Sequence, residues 1–288
     1  MQGVVNGIEC TAICCQLPRS DKSCYDFPMT TTSSPAPIGI ISALRDELSA
    51  VLLRMPPESR QRIANRSFRQ CHWHDQQVVA VLSRIGKVAA ATTATAMIER
   101  YGVRAIVFTG VAGGLGNGVN VGDLVVARSF LQHDLNASPL FTRHEVPLYG
   151  LTRFRTDTDL SDALASAARQ ALSEPAGLLS EQAMQDFGLH APQVHEGLIL
   201  SGDQFINTAQ DSARLLAEVP DALAVEMEGA AVAQVCHDYG VPFAAMRTIS
   251  DRADDQAHVD FPRFTEQVAS HYSAAVLEQL LAHWPQPD

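Results

Sequence analysis

Four short segments carry the side chains that could do chemistry. They are Ile38-Gly-Ile-Ile-Ser-Ala-Leu-Arg-Asp-Glu47, Ser201-Gly-Asp-Gln-Phe-Ile206, Ala224-Val-Glu-Met-Glu-Gly229 and Arg247-Thr-Ile-Ser-Asp251. Each follows a short apolar run that reads as a buried strand, so each set of polar groups falls at a strand's C-terminal end. In open α/β sheets that edge is where ligands bind. Carboxylates gathered there can donate and accept protons. Each acid also has a plainer reading. Glu47 alone is an ordinary acid in the first turn of a helix. Glu226 and Glu228 lie two apart and would share one face of a strand, as a solvated strand end before a helix whose first turn favours acids. Asp251 could be a simple helix cap.

A fifth segment, Thr109–Asp123 (TGVAGGLGNGVNVGD), is rich in glycine and follows a predicted strand. It lacks the dinucleotide fingerprint, because Val119 and Val121 stand where the third glycine of G-x-G-x-x-G is needed. Gly86-Lys87 is not a phosphate-binding P-loop, since Val88 follows and Val81 occupies the position of its first glycine. Without a Cβ, glycines such as Gly113 let backbone approach a flat ligand, and the loop reads either as such a cradle or as a tight turn.

The elements that must position these groups alternate along the chain. Predicted strands cover Ile38–Ser42, Val78–Ser83, Ala105–Gly110, Leu124–Phe130, Gly197–Ser201, Leu223–Met227 and Pro242–Ile249. Helical patterns cover Lys87–Tyr101, Asp159–Ser173 (with Thr158 or Asp159 as its cap), Glu228–Tyr239 and Phe264–His283, and two of them stop at Gly102 and Gly240. Strands alternating with helices predict an α/β domain layered around one central sheet. Residues 173–195 read as a surface excursion with a short helix.

Composition narrows the function. The chain has 288 residues, 46% of them hydrophobic, with 21 Lys+Arg against 32 Asp+Glu and a formal charge of −11. Such a surface repels phosphate backbones, so neither nucleic acid nor an anionic membrane is an expected partner. No apolar run approaches the roughly 18 residues that span a bilayer. The N-terminus lacks a basic region and a clean apolar core, which makes it a poor signal peptide. Four of the six cysteines lie in the first 24 residues, and the sparing use of Cys in the body (Cys71, Cys236) fits a reducing cytoplasm. Cys10, Cys14, Cys15 and Cys24 lack the paired spacing of a zinc site. Residues 1–37 end in TTTSSPAP and read as a disordered extension before a domain spanning 38–288, and Met29 is a candidate start.

In order along the chain stand IGII-x-A-x-x-x-E (38–47), S-x-IGKV-x-A (83–90), TG-x-AGG (109–114), VGD (121–123), HD (133–134), SGD-x-F (201–205), A-V-E-M-E-x-A-A (224–231) and R-x-ISD (247–251). Together they resemble the 5′-methylthioadenosine/S-adenosylhomocysteine nucleosidases of the nucleoside phosphorylase/hydrolase superfamily, from Ile38 to the C-terminus. The resemblance implies a three-layer α/β sandwich with a central mixed sheet. It implies cofactor-free and metal-free hydrolysis of an N-glycosidic bond, with release of adenine, by a homodimer.

It also implies roles. Asp251 would protonate adenine at N7, oriented by Ser250. An ordinary Asp, with a pKa of about 3.9, would carry its proton about once in a thousand at pH 7. A shift of three units corresponds to about 4 kcal/mol, which the site would have to supply. Glu47 would activate water, with Arg247 beside it. Glu228 would bind the ribose hydroxyls, and Met227 would pack on the sugar. Phe205 would stack on adenine, with its backbone and neighbouring Ile206 at the base, and Phe261 would line the 5′ pocket. This is an inverting arrangement, with the acid on one side and the base with its water on the other. A phosphorylase on the same fold would need a pocket for phosphate, which Glu47 would repel. A binding protein without turnover would have no need to keep Glu47, Glu228 and Asp251 together. His133-Asp134 is an expected loop contact on the ribose 5′ side. The chain departs from the family after Asp134 (LNASPLFTRHEVPLYG), at Arg45, at Val111 and in the longer excursion 173–195, so the 5′ preference stays open.

Overall fold

The computed structural model describes residues 35–56, 59–173, 177–253 and 261–285. Most of the expected N-terminal extension therefore lies outside the described residues. Ten strands join in one mixed sheet: β1 (Ile38–Ser42), β2 (Ser59–Ile63), β3 (Arg66–Trp73), β4 (Gln76–Leu82), β5 (Ala105–Gly114), β6 (Leu124–Gln132), β7 (Phe154–Arg155), β8 (Val194–Ser201), β9 (Ala222–Glu226) and β10 (Phe243–Asp251). β1 lies between β4 and β5, parallel to both. β10 runs parallel to β5 and antiparallel to β6. β6, β8 and β9 are parallel neighbours, and β9 returns antiparallel to β5. The path β5–β10–β6–β8–β9–β5 thus closes on itself, and β1, β4, β3 and β2 extend from it as an open wing.

Helices cover both faces. α1 (Arg45–Arg54), α3 (Thr158–Leu172) and α8 (Ser270–Ala282) pack on one face, through Leu48, Leu164 and Leu277. α2 (Lys87–Tyr101) and α6 (Gly229–Tyr239) pack on the other, through Met97, Val232 and Phe130. α4 (Glu181–Asp186) and α5 (Ala209–Glu218) complete the long connections, and α7 (Phe261–Phe264) precedes α8. The three-layer expectation is met. β1 is buried along its whole length, as a strand covered on both faces must be. α2 and α6 end at Gly102 and Gly240, both left-handed (φ 58° and 64°), where glycine adopts the conformation at no steric cost.

Several local readings change. α3 is capped by Asp157, which accepts from Leu160 N at 2.9 Å, in place of Thr158 or Asp159. The closing helix is not continuous: Thr265–Ala269 is a π-helical turn between α7 and α8. There Thr265 and Ser270 hydroxyls donate to the carbonyls of Phe261 and Glu266 (2.8 and 2.6 Å), local bonding that competes with a regular ladder. β2 and β3 have no counterpart in the sequence reading. β2 (SRQRI) is an exposed edge whose arginines guard it from pairing, so it lacks an apolar signature. The excursion 173–195 does carry its short helix, but Leu179, Ala183 and Leu189 are buried, so it packs on the body.

Gly229 opens α6 with no room for a side chain, because a Cβ there would stand 2.2 Å from the nearest carbon of the Phe130 ring. Gly229→Ala should destabilise the protein by about 1–3 kcal/mol through overpacking, measurable as a shifted denaturation midpoint at constant m-value.

Candidate functional site

The strand ends meet at one pocket of about 200 Å³. Its walls include Glu47, Gly113, Phe205, Ile206, Met227, Glu228, Ser250, Asp251 and Phe261. Nine of the ten residues expected at the site therefore come together. The tenth, Arg247, is fully buried behind that wall and does not line it.

Glu47 sits in the first turn of α1, so the ordinary role of a first-turn acid is also present. Its Oε2 accepts from Ala43 N and Leu44 N, each at 2.8 Å. Its Oε1 reaches across to β5 and accepts from Val111 N at 3.0 Å. Gly110 makes that reach possible, since a Cβ there would stand 2.8 Å from Oε1. Burial pushes the Glu47 carboxyl above its ordinary value, against the opposing pull of these N–H donors and of the Arg247 charge. The result is a carboxylate with raised proton affinity, held in one orientation.

Asp251 ends β10. Ser250 Oγ donates to its Oδ2 at 2.6 Å, and Ala253 N donates to its Oδ1 at 2.7 Å. Gly113 lies beneath, and a Cβ there would come 3.0 Å from Oδ1 and 2.7 Å from the Ala253 Cβ. Gly113 thus keeps open the floor beside the acid, which supports the cradle reading of the glycine loop. Across the pocket Phe205 is half exposed and meets Phe261 edge to face, with ring centroids 6.5 Å apart. That leaves an aromatic face free for a flat ligand.

Glu228 occupies the turn between β9 and α6, and its Oε1 accepts from Gly86 N at 2.8 Å. Burial raises its pKa to about 8, the neighbouring Glu226 charge adding to the effect and the Gly86 N–H opposing it. The sequence assigns Glu226 no role. In the structure it does not share an exposed face with Glu228. It turns inward, is buried, and forms an ion pair with Arg247 Nη2 at 2.7 Å. Arg247 Nη1 donates to the carbonyls of Phe108 and Met246, and its guanidinium lies over the Phe108 ring. The paired acids two residues apart were visible; which one met a cation depended on the path of β10.

A second network holds the rim. Lys87 Nζ donates to Asp134 Oδ1 (2.6 Å) and Gln132 Oε1 (3.0 Å). Asp134 Oδ2 accepts from Asp203 N, and Asp203 Oδ1 accepts from Lys87 N. His133-Asp134 therefore ties the start of α2 to the loop carrying Phe205 and does not line the pocket. Among the described residues no group of His, Cys, Asp and Glu could hold a metal ion, and no helix is long and apolar enough to cross a membrane.

The phosphorylase superfamily model matches residues 37–282. The chain belongs to that superfamily. Within the superfamily it is 34% identical over 245 residues to aminodeoxyfutalosine nucleosidase from Helicobacter pylori strain J99, covering 85% of this chain and 97% of that one. It is 32% identical over 243 residues to the 5′-methylthioadenosine/S-adenosylhomocysteine nucleosidase of Bacillus subtilis, covering 84% and 96%. Among solved superfamily structures, the Neisseria meningitidis 5′-methylthioadenosine/S-adenosylhomocysteine nucleosidase in complex with methylthio-immucillin-A superposes with a TM-score of 0.75. It is 30% identical, over 86% of this chain and 99% of that one.

The raised pKa of Glu228 predicts a pH signature. The folded state keeps this proton up to about pH 8, whereas the unfolded chain releases it near 4.5. Its contribution to stability is thus full below about pH 4.5 and falls as pH rises through the window to about 8. Melting temperatures measured from pH 5 to 8 should decline for the wild type, and the decline should be shallower for Glu228→Gln.

Proposed function

We propose that this protein hydrolyses the N-glycosidic bond of 5′-methylthioadenosine and/or S-adenosylhomocysteine and releases adenine. The observation that carries this reading is the convergence of Glu47, Glu228 and Asp251 on one pocket whose wall, among the described residues, contains no Lys or Arg. Cleavage leaves positive charge on the ribose and electron density on the base. Asp251, steered by Ser250, supplies a proton to N7 so that adenine departs neutral. Water attacks the anomeric carbon from the side of Glu47, which takes the water's proton. Glu228 binds the ribose hydroxyls, and its negative form stabilises the ring as it becomes cationic. Phe205 stacks on the base, with Ile206 behind it. Met227 packs on the sugar and Phe261 borders the 5′ substituent.

A phosphorolytic reaction on this fold is disfavoured by the same pocket. The phosphate would enter beside Glu47, with no lining cation to hold it. A non-catalytic binding role is disfavoured because three buried carboxylates are costly to keep in a site that performs no proton transfer. The Helicobacter pylori relatives support aminodeoxyfutalosine as a further substrate for assay. The homodimer is part of the proposal. Leu140 and Leu148 are almost fully exposed apolar side chains in the divergent segment after Asp134, which suits them to a covered surface. A reducing, cytoplasmic setting is supported by the sparing use of cysteine in the body, where Cys71 and Cys236 are both buried.

Adenine release by Asp251→Asn should fall by about 10²–10⁴-fold with the fold intact, as expected for loss of a general acid. Comparable activity in Asp251→Asn, with an unchanged circular dichroism spectrum, would remove this mechanism.

A further inference from the structure

The turn that carries Glu228 is not held by Glu228 itself. Glu226 Oε2 accepts from Glu228 N at 3.2 Å, and both Glu226 oxygens accept from Gly229 N at 2.9 Å. Ser201 Oγ donates to Glu226 Oε1 and in turn accepts from Ala230 N at 2.7 Å. Three consecutive N–H groups at the start of α6, which lack helical partners, are thereby satisfied. The far side of the carboxylate is neutralised by Arg247, whose guanidinium is in turn fixed by two carbonyls and an aromatic ring. The carboxylate of Glu226 bonds to the main chain of the Glu228 turn, to Ser201 and to Arg247. Glu226 is also an acid two residues from Glu228, paired with Arg247.

We propose that Glu226 is a positioning residue. Held by Arg247 and Ser201, it fixes the Glu228 turn and sets how the Glu228 carboxyl meets the ribose hydroxyls. The inference rests on the nucleoside reading of the pocket, which Glu226 also lines, and adds a residue whose side-chain hydrogen bonds go to the Glu228 turn and to its anchors. Its charge also opposes ionisation of Glu228 in the empty site. A ligand hydroxyl pair that donates to Glu228 offsets this repulsion, so the turn is tuned to bind ribose.

The test is a comparison of substrates that do and do not engage Glu228. Glu226→Gln keeps the shape of the side chain and removes its charge. With 5′-methylthioadenosine it should lower kcat/KM by about 100-fold, the scale of loss when a remote change misplaces a reacting group. With the 2′,3′-dideoxy analogue, which has no hydroxyls for Glu228, the loss should shrink to about threefold or less, the mark of two coupled groups. The pH midpoint assigned to Glu228 should move down by about one unit, because a like charge has gone. Ser201→Ala, which leaves the ion pair and its charges intact, should show the same substrate dependence with a smaller loss and no such shift in midpoint, and it serves if Glu226→Gln does not fold. Equal losses on both substrates, or a lower melting temperature with unchanged kcat/KM, would overturn the inference while leaving the hydrolase reading in place. A wild type inactive on 5′-methylthioadenosine, S-adenosylhomocysteine and aminodeoxyfutalosine would remove both.

Discussion

The pocket is organised around an ion pair that faces away from solvent. Glu226 ends β9 and Arg247 lies within β10, and both strands border β5. Their side chains bridge across β5 with almost no exposure to solvent. A pair so placed is costly to assemble and more costly to break. Removing one partner of such a pair typically destabilises a protein by about 3–5 kcal/mol, because the other charge is left uncompensated. The fold gives both partners further hydrogen bonds. Arg247 Nη1 donates to the Phe108 and Met246 carbonyls, and Glu226 takes N–H groups from the head of α6. The position of Glu228 is a consequence of this arrangement.

The same logic governs the acids that face the pocket. Each is shielded from water yet supplied with backbone or hydroxyl donors: Glu47 from Ala43, Leu44 and Val111, Glu228 from Gly86, Asp251 from Ser250 and Ala253. For Glu47 and Glu228 burial outweighs these donors and favours the protonated form. For Glu47 this is the direction that general base catalysis at neutral pH uses, whereas for Glu228 the ribose hydroxyls must offset it. Gly110 and Gly113 serve this geometry by absence, since a methyl group at either would press on a carboxylate.

Much of this was legible in the chain. Buried parallel strands are continuous apolar runs, so β1, β5 and β6 announced themselves, and the glycine stops of α2 and α6 fell where the helices end. The acids could be placed at the sheet edge because strand ends are defined by that same pattern. β2 was hidden because an exposed edge strand has no apolar signature, and the π-helical turn because side-chain back-bonding at Thr265 and Ser270 leaves helical periodicity intact. Glu226 was hidden for a different reason. Nothing local distinguishes it from Glu228; its role depends on Arg247, 21 residues away, and on two strands meeting across a third. Asp134 and Lys87 were likewise visible as motif residues, but their joint task of tying α2 to the Phe205 loop required the fold.

In the proposed reaction Glu47 prepares water, and no other nucleophile, for attack on the sugar. Its most direct test is adenine release from 5′-methylthioadenosine and S-adenosylhomocysteine in parallel, in phosphate-free and in phosphate-containing buffer, with the sugar product identified. Equal rates in the two buffers and a free 5′-substituted ribose are expected. Release that requires phosphate and yields a sugar 1-phosphate would contradict this and take from Glu47 its role as the activator of water.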